Sequence, residues 1–270
     1  MSESFDIIII GGGIAGTSAA LTAMNRGKRT VVIANPMESE SLYKAEKITN
    51  YPGLAGLSGR EMSELLRRQL VGSGAKLIRG RALNVMDMGG SFGVAVGNDF
   101  YEAKAVILAL GITREKLYPG EAEFLGRGVS YCATCDGMLY RGKTVALIGN
   151  NREAYDDADF LRGIGCNVIE LPGTARYEII GTQRAEAVVS GGETYPVDGV
   201  FIIKDTVSVA NLMPGLERSG AAISVGRGME TSIPGVFAAG DCTGKPYQAA
   251  KAVGEGNIAA LSACEYIDKL

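Results

Sequence analysis

The chain has 270 residues and a formal net charge of −3, which excludes the broad basic field that non-specific nucleic-acid binding requires. Apolar residues make up 46% of it and glycines number 38, a balance that points to a globular α/β protein of one large or two modest domains. Histidine is absent, so Ser-His-Asp sites, Cys-His sites and His-ligated metal sites are all excluded, and no metal is expected.

No apolar run reaches the roughly 18–20 residues of a membrane span, and the start of the chain lacks a basic n-region and a cleavage site. Neither a membrane partner nor a signal peptide is therefore expected. Five cysteines, an odd number without scaffold spacing, fit a reducing cytoplasm in which any disulfide is catalytic.

In chain order, Phe5–Ile10 reads as a doubly buried strand, followed by a glycine-rich turn, a small-residue helix from about Ile14 to Asn25, and a strand at Thr30–Ala34. This is a β-α-β opening of a parallel sheet. Ser58-Gly-Arg-Glu61 reads as a capping box for a helix to about Val71, with Met62, Leu65, Leu66 and Leu70 turned inward. The stretch Leu77–Ala105 alternates as a β-meander would, and Val106–Leu110 is a further buried strand. A second strand–turn–helix–strand follows: Thr144–Ile148, Gly149–Ala154, a helix to about Arg162, and Asn167–Leu171. Short alternating strands lead to Val200–Ile203, then come a strand at Val236–Ala239 and a long helix over Ala249–Tyr266.

Gly11-Gly12-Gly13-Ile14-Ala15-Gly16 fits G-x-G-x-x-G directly after a strand and at the start of a helix. Gly11 permits the tight turn, Gly13 lets a pyrophosphate approach the backbone, and Gly16 allows close helix–sheet packing. Dinucleotide binding is the reading, and a ligand-free glycine turn is the bland alternative. The acidic ribose-binding residue expected about 20 positions on is missing, and Asn35 stands there as a weaker hydrogen-bonding substitute. Tyr131-Cys132-Ala-Thr-Cys135-Asp136 carries a C-x-x-C, which closes a readily reduced disulfide or forms half of a zinc site. With no histidine, and with Cys166, Cys242 and Cys264 widely spaced, redox chemistry is the stronger reading. Those three cysteines read as buried apolar residues.

Cys132-Ala-Thr-Cys135-Asp136-Gly137 resembles the active site of low-molecular-weight thioredoxin reductases. Ile48-Thr-Asn50-Tyr-Pro-Gly53 is similar to the family's segment beside the flavin ring. Ile107-Leu-Ala109-Leu-Gly111 resembles its strand and crossover, and Thr231–Asp241 its late FAD motif, with Gln248-Ala249 and Gly254-Glu-Gly256 following. The resemblance implies a two-domain, Rossmann-like α/β flavoprotein and a homodimer. It implies FAD held by Gly11, Gly12, Gly13, Ala15, Gly16, Asn35, Asn50, Ala109, Gly111, Gly240, Asp241, Gln248 and Ala249. Asp241 would hold the ribityl chain, with Gln248 and Ala249 near the pyrimidine edge. Cys135 would face the flavin, Cys132 would exchange with the substrate disulfide, and Asp136 would be the general acid/base. A turn-capping role is the alternative for Asp136.

The second nucleotide unit departs from the pattern. Asn151 replaces the glycine that admits a pyrophosphate, and Pro172–Arg176 replaces the basic cluster that grips the 2′-phosphate of NADPH. Only residues 172–199 separate Leu171 from Val200, too few for a further βα unit plus a meander, since a βαβ unit alone takes about 30 residues. This pattern resembles the NADPH-independent, ferredoxin-dependent branch. The expectation is an FAD domain over residues 1–112 and 206–270, with a shortened redox domain, 113–205, inserted. Ferredoxin would be the electron donor and thioredoxin the acceptor. A flavin dithiol oxidase using oxygen, an NADPH-dependent reductase with a divergent site and a non-catalytic redox sensor remain as rivals.

Overall fold

The computed structural model describes all residues except 1–2, 38–41, 44, 55, 112–116, 132, 151 and 204–208, and only the backbone of Cys135 and Glu153. The chain divides into two compact units, Met1–Arg114 with Thr206–Leu270, and Glu115–Asp205. The first unit opens with β1 (Glu3–Ile10), α1 (Ile14–Asn25), β2 (Thr30–Ala34), α2 (Gly59–Gly72), β3 (Lys76–Arg79), β4 (Ala82–Asp87), β5 (Phe92–Val96) and β6 (Asp99–Leu108). The second comprises α3 (Glu121–Phe124), β7 (Val129–Ser130), α4 (Ala133–Asp136), β8 (Thr144–Ile148), α5 (Arg152–Gly163) and β9 (Asn167–Leu171). It continues with β10 (Glu178–Gly181), β11 (Ala185–Ser190), β12 (Glu193–Pro196) and β13 (Gly199–Ile202). The first unit then resumes with α6 (Val209–Leu212), β14 (Arg218–Ser219), β15 (Ala222–Ile223), β16 (Val236–Ala238) and α7 (Ala249–Asp268).

The first unit is built on a sheet ordered β3-β2-β1-β6-β5-β4, with β16 also paired to β6. Successive side chains of a strand point to opposite faces, so the apolar run of β1 feeds two cores at once. Ile8 and Ile10 join Val31, Ile33, Val94 and Val236 on one face. Ile7 and Ile9 join Val32, Ala34 and the alanines of α1 and α7 on the other. Small residues let those two helices meet closely: a Cβ on Gly256 would stand 2.2 Å from the carbonyl oxygen of Ala15. Ser18 Oγ donates to the Val253 carbonyl at 2.8 Å, and Asn257 Nδ2 donates to Thr22 Oγ1 at 2.8 Å across the same seam.

Three expectations need correction. The meander is narrower than Leu77–Ala105, because β3 pairs in parallel with β2 (Val31↔Lys76, Val32↔Leu77) after the crossover helix α2. Val106–Leu110 is no separate strand either. β6 runs unbroken from Asp99, keeping β1 on one edge while its other edge passes from β5 to β16. Its first half alternates because one face is half covered, and its last four residues are buried on both faces. In α2 the capping box forms as read, but Leu65 and Leu66 are only half-buried and Ser63 is buried in their stead.

The second unit repeats the plan on a smaller scale. Its parallel sheet runs β7-β13-β8-β9, with a separate antiparallel sheet β10-β11-β12 on one face. Ala146, Ile148, Val200 and Ile202 face that meander, whereas Val145, Leu147 and Phe201 face α4 and α5. The stretch between β9 and β13 is filled by the meander alone. Here the last meander strand does not run on into the parallel sheet. Pro196, which cannot donate to a ladder, ends β12, and Asp198 re-anchors the chain by accepting from the Thr144 backbone N–H at 3.0 Å. Among the described residues no helix is long and apolar enough to cross a membrane.

Candidate functional site

In the first unit, β1, β6 and β16 end at a cavity of about 410 Å³, and α1 and α7 begin there. Ligands of open α/β sheets bind at this carboxyl edge, and helix N-termini offer unpaired N–H groups and a partial positive charge. Gly11, Gly12, Gly13, Ala15, Asn35, Ala109, Gly111, Gly240, Asp241, Gln248 and Ala249 all line it. Gly16 stands behind the wall, where a Cβ would lie 1.9 Å from the Gly11 carbonyl oxygen, so its role is close packing of α1 on the turn. Asn50 lies outside the lining but donates from Nδ2 to Gln248 Oε1 at 2.7 Å, tying two distant segments together.

The turn itself requires glycine. Gly11 has φ +117°, and a Cβ there would lie 2.0 Å from the Ala109 carbonyl oxygen. Thr17 Oγ1 donates to the Gly12 carbonyl at 3.2 Å and holds the loop against the first turn of α1. No basic side chain lines the cavity among the described residues, and Asp241 is its one charged group. Such a site suits a molecule whose phosphates are met by backbone N–H groups and whose hydroxyls reach a carboxylate. Burial pushes the Asp241 carboxyl above the usual range, with Lys251 opposing and Glu255 adding to the shift. The sequence reading missed Leu42, Leu110 and Tyr247 in the wall, since apolar and aromatic residues on loops carry no periodic signal.

Lys251 and Glu255, one helical turn apart in α7, pair at 3.1 Å with about 17% and 16% of their side chains exposed. Glu255 Oε2 accepts from the Gly240 N–H and from Thr243 Oγ1, both at 2.9 Å. Lys251 Nζ donates at 2.9 Å to the carbonyls of Gly240 and Gly244 and to Thr243 Oγ1. The pair thus holds the turn that carries Asp241.

In the second unit, Cys135 lies on α4 and Cys132 falls outside the described residues. Ser130 Oγ on β7 donates to Asp136 Oδ2 at 2.6 Å, a bridge that spans the C-x-x-C segment. Asp136 makes no capping bond to the 3-10 turn Gly137–Tyr140 that follows it, so the capping alternative is not met. The fully buried Glu121 accepts from the Tyr131 hydroxyl at 3.0 Å and from the Tyr118 N–H at 2.8 Å. Cys166, Cys242 and Cys264 are buried free thiols, and burial pushes Cys242 up to about 11, well away from the reactive thiolate. No cluster able to hold a metal ion occurs among the described residues.

The loop after β9 runs beside the glycine turn of this unit, whose Gly149 is half-buried and whose Asn150 is exposed. A Cβ on Gly173, just beyond β9, would lie 3.3 Å from Asn150 Oδ1 and 3.4 Å from the Gly149 Cα. The Tyr118 hydroxyl donates to the Gly173 carbonyl at 3.1 Å and the Tyr177 hydroxyl to the Pro172 carbonyl at 2.9 Å. Their rings meet edge to face at 5.4 Å, fixing the loop in place. Asn151 itself lies outside the described residues.

Comparison with known proteins agrees with this architecture. The family model described as pyridine nucleotide-disulphide oxidoreductase matches residues 5–177 and 171–256. Thioredoxin reductase of Treponema pallidum is 34% identical over 305 aligned positions, covering 100% of this chain and 99% of that protein. The alignment is longer than this chain, so the Treponema protein carries stretches with no counterpart here. Among solved structures, a ferredoxin-flavin thioredoxin reductase from Clostridium acetobutylicum is 39% identical with a TM-score of 0.91, covering 100% of each chain. A thioredoxin reductase from Gloeobacter violaceus is 30% identical with a TM-score of 0.84, over 99% of this chain and 95% of that one. The chain therefore belongs to the pyridine nucleotide-disulphide oxidoreductase family and, within it, is a disulfide reductase of the thioredoxin reductase type. The cofactor of these proteins is FAD, and the cavity residues fit it: backbone donors at two helix N-termini, a carboxylate at Asp241 and a turn that only glycine allows.

Proposed function

We propose that this protein reduces the disulfide of thioredoxin with electrons drawn from reduced ferredoxin and not from NADPH. The observation that carries the reading is the state of the second nucleotide unit. The loop Pro172–Gly173 packs on the Gly149–Asn150 turn, and the chain from β9 to β13 contains no helix. Losing charge-assisted contacts to a 2′-phosphate costs on the order of 1.5–3 kcal/mol each, so affinity for NADPH falls by orders of magnitude.

When bound, FAD collects single electrons and supplies them as a pair for disulfide reduction. Two electrons and two protons open the Cys132–Cys135 disulfide to a dithiol. The Cys132 thiolate attacks one sulfur of the thioredoxin disulfide, forming a mixed disulfide and releasing a thiolate on thioredoxin that takes up a proton. Cys135 then attacks the Cys132 sulfur, which closes the enzyme disulfide and frees the second thioredoxin thiol. Asp136 is the proton carrier of this reading, oriented by Ser130. From a plant-type ferredoxin near −400 mV to thioredoxin near −270 mV, two electrons release roughly 6 kcal/mol. The same reading makes the protein a cytoplasmic homodimer.

The test is anaerobic stopped-flow of the FAD-loaded protein against NADPH and, separately, reduced ferredoxin. Fast bleaching by ferredoxin with thioredoxin turnover is expected. Fast bleaching by NADPH would overturn the reading, and bleaching by neither would favour the dithiol oxidase.

A further inference from the structure

The Lys251–Glu255 pair is badly placed for helix stability. Lys251 is the third residue of α7, where the positive end of the helix dipole repels a cation, and a Lys four residues ahead of Glu is the weaker order for such a pair. Both charges are also largely withdrawn from water, which costs free energy unless their hydrogen-bonding capacity is used. It is used on the turn: one Glu255 oxygen accepts from the Gly240 N–H and the Thr243 hydroxyl, and the Lys251 ammonium reaches two carbonyls and a hydroxyl.

We infer that Lys251 and Glu255 are positioning residues for FAD, which hold the Gly240–Gly244 turn so that Asp241 stays in the cavity wall and serves the cofactor. The inference rests on the reading of Asp241 as a cofactor-binding carboxylate. Geometry supports it first: the turn carries Gly240 and Asp241 in the wall, and Gln248, Ala249 and Ala252 of the wall belong to the start of the same helix. Electrostatics adds a signature. The charged groups acting on Asp241 are Lys251 and Glu255, both on α7, and Ala222–Ile223 of β15, which packs on the same turn, brings none. Burial raises the Asp241 pKa, Lys251 lowers it and Glu255 raises it. Removing the two partners of one ion pair should therefore move the acid release of FAD in opposite directions.

The experiment measures FAD affinity of the apoprotein by flavin fluorescence quenching from neutral pH downward, alongside the apoprotein Tm. Lys251→Met should weaken FAD about 10- to 100-fold at neutral pH and release it at a higher pH than wild type. Glu255→Gln keeps an acceptor for the Gly240 N–H and should release FAD at a lower pH. Lys251→Arg should restore most of the affinity lost in Lys251→Met. Wild-type affinity in both charge-removing variants, or equal weakening with unshifted acid release, would overturn the inference by reducing the pair to ordinary structure. Asp241→Asn separates the two levels. If that variant binds FAD with an unchanged acid release, the reading of Asp241 fails, whatever the pair does.

Discussion

In the first unit β2 lies between β1 and β3 and all five of its residues are buried, whereas the corresponding β9 closes its sheet and leaves Asn167 and Glu170 exposed. The helices differ in the same way. α1 is an alanine-rich rod buried beneath α7, and α5 shows Arg152, Asp156 and Asp159 to solvent. Both units contain a strand, a glycine turn and a helix in succession, so the turn alone does not make a nucleotide site. The first unit adds a crossover helix and a third strand, and also α7, whose start helps wall the cavity. The second lacks the crossover helix and the third strand, and packs its post-strand loop on the turn.

The sharpest way to break this comparison is Gly13→Val. The new side chain stands at the start of α1 where the pyrophosphate is read to approach, and FAD affinity should drop by several orders of magnitude. A fully yellow purified variant, judged by its visible spectrum, would show that this turn does not cradle the cofactor. The reciprocal change, Asn151→Gly, should leave NADPH affinity unmeasurable by calorimetry, because the turn would still lack the rest of its site.

The cysteines carry the dithiol chemistry proposed for the second unit. Cys135→Ser should abolish the long-wavelength absorbance of the two-electron-reduced protein, and Cys132→Ser should keep it. The reverse pattern would exchange their roles.

Smaller effects separate the two helices. Gly256→Ala forces a methyl against the Ala15 carbonyl and should cost about 1–3 kcal/mol in denaturant unfolding, with weaker FAD binding, because Ala15 also lines the cavity. Gly163→Ala, at the end of α5, meets nothing within 4 Å and should be neutral or stabilising by about 0.5–1 kcal/mol. Equal effects would mean that the first helix seam is no tighter than the second.

The smallest effect concerns Asp241 without its ligand. Burial raises its pKa in the fold, so the apoprotein binds more protons than the unfolded chain in the window above the usual carboxylate value. Stability from this group is present below the unfolded value and lost as pH rises through the folded one. At neutral pH the ionised carboxylate is therefore a cost, and Asp241→Asn should raise the apoprotein Tm slightly while weakening FAD. A lower Tm in apo Asp241→Asn would contradict that sign.

The sequence by itself determined the features that depend on local chemistry. The apolar run of Phe5–Ile10 and the glycines after it define a doubly buried strand and its turn, because few other residues satisfy those backbone constraints. Ser58 and Glu61 cap α2 as their spacing dictates. The shortness of residues 172–199 was enough to rule out a full second unit. Tertiary structure alone decided where partners came from afar. β6 reads as two strands because its edge neighbour changes midway, from β5 to β16, and that exchange leaves no mark on local pattern. β3 looked like a meander strand until the crossover through α2 set it beside β2. Lys251 and Glu255 carry no local signal of their role, since their i,i+4 spacing suits a solvated pair as well as a buried one. Only the fold shows that the turn Gly240–Gly244 folds back onto them and takes up their hydrogen bonds.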